Sequence, residues 1–387
     1  MFHSIVFVHG FTGHPKDTWT FKAKTQSNSP AKKHGKDDDD LNDTARRSKF
    51  RRLQLFGRSP SASSSTGSPT PESSDTPTAE GAKGKDKAGQ DVYWPADLAN
   101  QTIPNSRIIT YGYDTNFRHW LTGPVSKKTL YDHAWDLLCC LEASRGNPDE
   151  SRRPIIFIVH SLGGIVVKEA LRRARGCKSS KPHLHDIFEA TASIIFFGTP
   201  HGGADPRNSF HHILSASVKI FGVQVNNQIV DTLMPNSERL TELRDEFPAM
   251  CQERNWLIYS FQEEYGLPAL FGSRVVEDWS SCLNNPVLET RQFISSNHMD
   301  MCRFYGLQDP EYAKVAAAMK RILGMIERGS QDISRNAGED HGISAVGDQD
   351  SLPPEVRDQR GNALVSIAEE TKASLTKQLY FAKIDER

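Results

Sequence analysis

Residues Ile155–Val159 (IIFIV) carry no polar side chain and run straight into His160-Ser161-Leu162-Gly163-Gly164, after which Gly164–Arg175 has helical spacing. An apolar run of this length, stopped by a turn, reads as a strand buried on both faces. Such strands belong to parallel sheets covered by helices on both sides. The rest of the chain repeats the pattern. Residues 4–8, Arg107–Gly112 (RIITYG), Ser193–Phe197 (SIIFF), Trp256–Phe261 (WLIYSF) and a short Arg274–Val276 (RVV) read as further strands. Thr129–Ala143, segments across roughly 208–253 and about Tyr312–Glu327 read as helices. The expected class is α/β, with a mostly parallel sheet.

One stretch breaks the alternation. From Lys22 to about Gln90 the large apolar residues are Leu41, Phe50, Leu53, Leu55 and Phe56, set among Ser, Pro, Gly, Lys and Asp. Such a segment cannot bury enough surface to offset its ordering entropy, so residues 22–90 are expected to be a disordered insert. Core-like sequence resumes at Val92-Tyr93-Trp94-Pro95, which makes 1–21 and 91–328 one domain. Beyond Arg328 a polar linker is expected. It ends in a helical tail, because Leu364–Ile384 regains helical spacing. The 47 basic and 48 acidic residues nearly cancel, so no global field draws the chain to nucleic acid. The six cysteines show no metal spacing, no metal or cofactor is expected, and free thiols fit a reduced compartment. No apolar run reaches about 18 residues, and the N-terminus is too short and uncharged for a signal peptide. The expected location is therefore intracellular.

The turn after Ile155–Val159 has the form of a G-x-S-x-G nucleophile elbow, in which a sharp strand-to-helix turn lifts the serine hydroxyl off the sheet. Ser161 is the candidate nucleophile. Gly163 provides the small flank that this turn needs, whereas Val159 departs from it and crowds the turn. A plain helix start capped by Ser161 would look the same locally. Acyl transfer also needs two backbone N–H groups at the oxyanion, one after the nucleophile and one from an early loop. Leu162 and Phe11, the latter in His9-Gly10-Phe11, are the candidates. The base should follow the last strand, which selects His298. Chain order asks for an acid after Trp256–Phe261, where Glu263 stands, with Asp278 as the rival. Strand alternation turns His160 away from the site into packing, and His201 is read as structural.

Several of these segments together resemble the serine esterases of the serine-active-site-containing protein family, which are related to fungal lipase-like proteins. They are IVFVHGF at Ile5–Phe11, Trp94–Leu98, Tyr111-Gly112-Tyr113, His160–Gly164, GTPHGG at Gly198–Gly203, Phe261-Gln262-Glu263 and Asn297–Cys302. The resemblance covers about 1–21 and 91–328. It implies an α/β-hydrolase fold, an ester or lipid substrate, and a peripheral setting at endoplasmic reticulum or mitochondrial membranes. Ala373–Arg387 is similar to the segment that precedes the NACHT domain of fungal NOD-like receptors, and implies a protein partner through the tail. No G-x-x-x-x-G-K-[ST] loop occurs in the chain, so no ATPase is expected in it.

Two readings of function follow. The first is an esterase or lipase that works through an acyl-enzyme. The second is a hydrolase-fold effector or interaction module of the receptor type, with weak catalysis. Within the insert, Arg46–Arg52 beside Leu53, Leu55 and Phe56 reads either as a solvated charged loop or as a membrane-surface patch.

Overall fold

The computed structural model describes residues 3–10, 13–23, 90–113, 128–146, 148–202, 216, 237–339 and 379–381. The chain divides into one unit of Met1–Ala23 with Gln90–Arg387 and a second of Lys24–Gly89, which lies outside the described residues. The basic patch of the insert therefore lies outside them too.

The first unit is built on β1 (His3–Val8), whose six residues are all buried. A small antiparallel pair, β2 (Thr20–Phe21) and β3 (Val92–Tyr93), follows, and the Ala23 N–H donates to Asp91 Oδ1 at 3.0 Å. That bond draws the two roots of the insert together. Then come β4 (Ser106–Tyr111), β5 (Ile155–His160), β6 (Thr191–Phe197), β7 (Leu257–Glu263) and β8 (Glu289–Ile294), all parallel to β1. With β9 (Leu379–Phe381) the sheet order is β8-β7-β6-β5-β1-β4-β9. Helices α1 (Leu130–Ser144), α2 (Gly163–Gly176), α3 (Pro182–Ala190) and α4 (Ser237–Arg254) supply one apolar layer against the sheet. Trp19, Trp94 and the start of α5 (Pro310–Glu339) supply the other. α1 begins in a capping box: Thr129 accepts from the Asp132 N–H while the Asp132 carboxylate accepts from the Thr129 N–H.

This is the α/β-hydrolase fold. β5 lies on one flank of β1 and β4 on the other, so the chain reverses direction across the sheet between β1 and β5. In open α/β sheets the crevice at such a reversal, outside the strands' carboxyl ends, is where ligands bind.

Three expectations need correction. Arg274–Val276 is not a strand: Val275 and Val276 are buried, but the Val276 N–H donates to Glu263 Oε1 at 2.6 Å instead of joining a ladder. The last parallel strand is β8, whose inner four residues are exposed. An edge strand with ETRQFI as its sequence offers no apolar run to read. The closing helix continues past the expected boundary at 328 to Glu339, because the polar sequence there offers no apolar period to read. The tail, expected to be helical, forms the strand β9 over Leu379–Phe381, pairing Ile109 with Phe381 and Tyr111 with Leu379. Local spacing cannot register the open edge of β4 that this strand satisfies. Among the described residues no helix is long and apolar enough to cross a membrane.

Candidate active site

Ser161 stands one residue past β5 with φ 52°, in the left-handed region that β-carbon sterics disfavour. The surroundings hold it there. Its N–H donates to Phe197 O at 2.8 Å, carrying the β5–β6 ladder one step beyond the strand. Its carbonyl accepts from the Gly164 N–H at 3.1 Å and from Thr199 Oγ1 at 3.0 Å. Glycines make room for this turn. A Cβ on Gly163 would lie 2.4 Å from His9 O, and one on Gly10 would lie 2.6 Å from the Ser161 Cβ. The turn forms although Val159 replaces the usual small residue; Val159 is fully buried between Val8 and Phe196. The expected crowding does not prevent the elbow.

The loop after β1 packs directly on the serine. His9 is fully buried, and burial pushes its pKa down to about 4, so the ring is neutral at physiological pH. Its Nδ1 lies 2.8 Å from Gly10 O, and a carbonyl can only accept, so the hydrogen is assigned to Nδ1. Nε2 then accepts from the Tyr113 N–H at 3.3 Å, and Tyr113 OH donates back to His9 O at 2.9 Å. The two rings stack at 4.5 Å. Leu162 is buried at the N-cap of α2. Phe11, the other candidate oxyanion donor, lies outside the described residues.

His298 and Glu263 come together. Both are almost fully buried, and His298 Nδ1 lies 3.5 Å from Glu263 Oε1, an ion-pair distance longer than a hydrogen bond. Neither Nδ1 nor Glu263 Oε2 has a hydrogen-bond partner among the described residues. Glu263 closes β7, and its Oε1 is fixed by the Val276 N–H. The His298 ring lies over Gly198, where a Cβ would be 3.0 Å from Nδ1. Asp278 is elsewhere in role: its side chain is half exposed and bonded to Arg274. The structure thus brings Glu263, not Asp278, to the histidine.

Two histidines set aside from the sequence prove to be close neighbours of the site or buried beside it. His160 does not merely pack. Its Nε2 lies 3.0 Å from His298 O, and the two rings are 4.8 Å apart. Burial, then the neighbouring His298, holds its pKa well below the usual histidine value, so a neutral ring donates from Nε2 and pins the His298 backbone. Strand alternation points it off Ser161 but gives no account of the loop that arrives from residue 298. His201 is buried with neither ring nitrogen partnered among the described residues.

No protein-family model matches the chain. It is 30% identical over 192 residues to protein SERAC1 of Bos taurus, and 31% identical over 183 residues to protein SERAC1 of Homo sapiens. Those matches take in 49% and 47% of this chain but 27% and 25% of the relatives, so the chain spans about a quarter of their length. Among solved structures, the peroxisomal alpha-beta-hydrolase Lpx1 of Saccharomyces cerevisiae aligns with a TM-score of 0.34 at 12% identity. That alignment covers 96% of this chain and 85% of Lpx1. The chain is a hydrolase-fold protein. The resemblance of Ala373–Arg387 to a pre-NACHT segment gains nothing from these relatives.

Behind the Ser161 turn, α2 carries one residue that sequence reading did not single out. Lys168 is fully buried, and desolvation lowers its pKa to about 7, with Cys251 and Glu289 opposing weakly. The folded value lies below the unfolded one, so only the unfolded chain binds the proton between about pH 7 and 10.5: stability falls as pH drops through that window and levels off at its lowest below about pH 7. Lys168→Met is expected to raise the unfolding free energy at pH 6 by roughly 3–5 kcal/mol, shrinking to about 1–2 kcal/mol at pH 9.5. Urea denaturation in chloride buffer at the two pH values measures this; an equal effect at both would contradict it.

Proposed function

We propose that this chain is a serine hydrolase that cleaves carboxylic esters, of lipid type, through an acyl-enzyme. The observation that carries the reading is Ser161: a non-glycine residue held at positive φ, at the carboxyl end of β5, against the glycine of the β1 loop. Strain of this kind persists only where the surroundings impose it, and it concentrates at functional sites.

In this reading Ser161 Oγ attacks the ester carbonyl while its proton passes to His298 Nε2. The Oγ–C bond forms, and the carbonyl electron pair moves onto oxygen, facing the N–H groups of Leu162 and Phe11. The intermediate collapses by expelling the alkoxide, which takes the proton from His298. Water then repeats the sequence on the acyl-enzyme and releases the acid. Glu263 orients His298 and stabilises its charged form. Catalytic hydrogen bonds are commonly long in unliganded sites and tighten on binding, so 3.5 Å is compatible with that role. The same distance is what favours the second reading, a hydrolase-fold effector with weak turnover. A lipid ester also accords with the expected peripheral membrane setting.

The deciding test is a fluorophosphonate probe, together with hydrolysis of a short acyl ester. The expected result is covalent labelling approaching one probe per chain, abolished by heat unfolding, with measurable turnover. A folded protein that takes up no probe would sink the enzyme reading and leave the interaction module.

A further inference from the structure

Tyr111-Gly112-Tyr113 leaves the sheet beside the loop that follows β1. β4 runs parallel to β1 with Tyr111 opposite Val8, so Gly112 and Tyr113 emerge next to His9 and Gly10. Tyr113 grips His9 twice. Its N–H donates to His9 Nε2 at 3.3 Å and its hydroxyl donates to His9 O at 2.9 Å, with the two rings parallel to within 6°. The tyrosine ring is itself held. Tyr111 stacks on it at 5.7 Å, and the His133 ring lies 4.9 Å away.

Through His9 the grip reaches the next peptide. With Nε2 taken by the Tyr113 N–H, the hydrogen of the neutral ring sits on Nδ1, which donates to Gly10 O at 2.8 Å. The Gly13 N–H donates to the same carbonyl at 3.1 Å. A peptide unit is planar and trans, so holding the Gly10 carbonyl also sets the direction of the N–H across that bond. In the acyl-enzyme reading that N–H serves the oxyanion. The other oxyanion donor is close at hand: a Cβ on Gly163, next to Leu162, would lie 2.4 Å from His9 O. The atom that the Tyr113 hydroxyl holds is therefore packed on the turn that carries Leu162.

We propose that Tyr113 is a positioning residue for ester cleavage at Ser161: by fixing His9 and, through it, the Gly10 peptide, it sets the oxyanion loop before substrate arrives. Its effect passes through His9 and involves no proton transfer to or from the ester. Preorganised donors act on charge that develops in the transition state, so loosening them lowers kcat and spares KM. The inference rests on the acyl-enzyme reading.

Tyr113→Phe removes the hydroxyl bond and keeps the stacked ring and the backbone N–H. The expected result with a short acyl ester is a kcat lower by roughly 10–100-fold, with KM within about twofold. A trifluoromethyl ketone, whose adduct with serine carries the oxyanion, should bind more weakly by the same factor. The matching secondary alcohol cannot form that adduct and should bind as it does to the wild type. Tyr111→Phe loses a comparable hydroxyl, bonded to His133 O at 3.2 Å, and should keep kcat within about twofold. His9→Leu breaks both ring bonds and should repeat the split between kcat and KM; it decides the matter if circular dichroism shows that Tyr113→Phe does not fold. Unchanged kcat in folded Tyr113→Phe, or a raised KM with kcat kept, would overturn the proposal and leave Ser161 as the nucleophile. A folded wild type with neither turnover nor probe labelling would remove the acyl-enzyme reading and this proposal together.

Discussion

Ser161→Ala is expected to remove fluorophosphonate labelling and to lower kcat by roughly 10⁴–10⁶-fold, with the fold unchanged. The substitution is chemically narrow. Alanine keeps the Cβ that Gly10 accommodates, and it meets the same backbone strain at φ 52° as serine does. The bonds that build the turn, from Phe197, Gly164 and Thr199, all use the backbone of residue 161. What is lost is the hydroxyl. Unchanged circular dichroism with lost turnover would therefore isolate the nucleophile; retained labelling would mean that another residue reacts.

Glu263→Gln is expected to cost roughly 10³–10⁴-fold in kcat, because an amide cannot stabilise the imidazolium that forms during the reaction. The amide oxygen can still accept the Val276 N–H, so the shape of the β7 end should survive. Asp278→Asn serves as the counterpart. Its carboxylate is half exposed and held by Arg274, so turnover should stay within about twofold. The reverse pattern, a collapse in Asp278→Asn with near-normal Glu263→Gln, would move the acid to the 274–278 loop. Steady-state rates on one ester, compared at a common pH, decide between them.

Much of the candidate site's layout was legible because the proposed acyl transfer would impose an order on the chain. A buried strand ending in a serine turn, a glycine loop after the first strand, an acid at the end of β7 and a histidine in the loop before the closing helix can each be read from apolar runs and their terminators. Legibility fails where structure depends on what lies across space. β8 is an edge strand with polar outward residues, so nothing in ETRQFI declares it. Val276 reads as strand core, but its N–H serves a carboxylate thirteen positions earlier in the chain. His160 alternates away from Ser161 on its own strand, and only the return of the 298 loop gives it a partner. Lys168 on a helix reads as a solvated charge; its burial is decided by Phe196 and Phe247, from β6 and α4.

The pairing of β9 with β4 has a consequence for how the chain is made. β4 leaves the ribosome well before β9, so the outer edge of β4 waits unpaired until Leu379–Phe381 has been made. That edge offers the backbone of Ile109, Thr110 and Tyr111 to any strand that reaches it first. The nascent protein therefore passes through a sticky interval, in which a neighbouring chain competes with its own β9 for the same three positions.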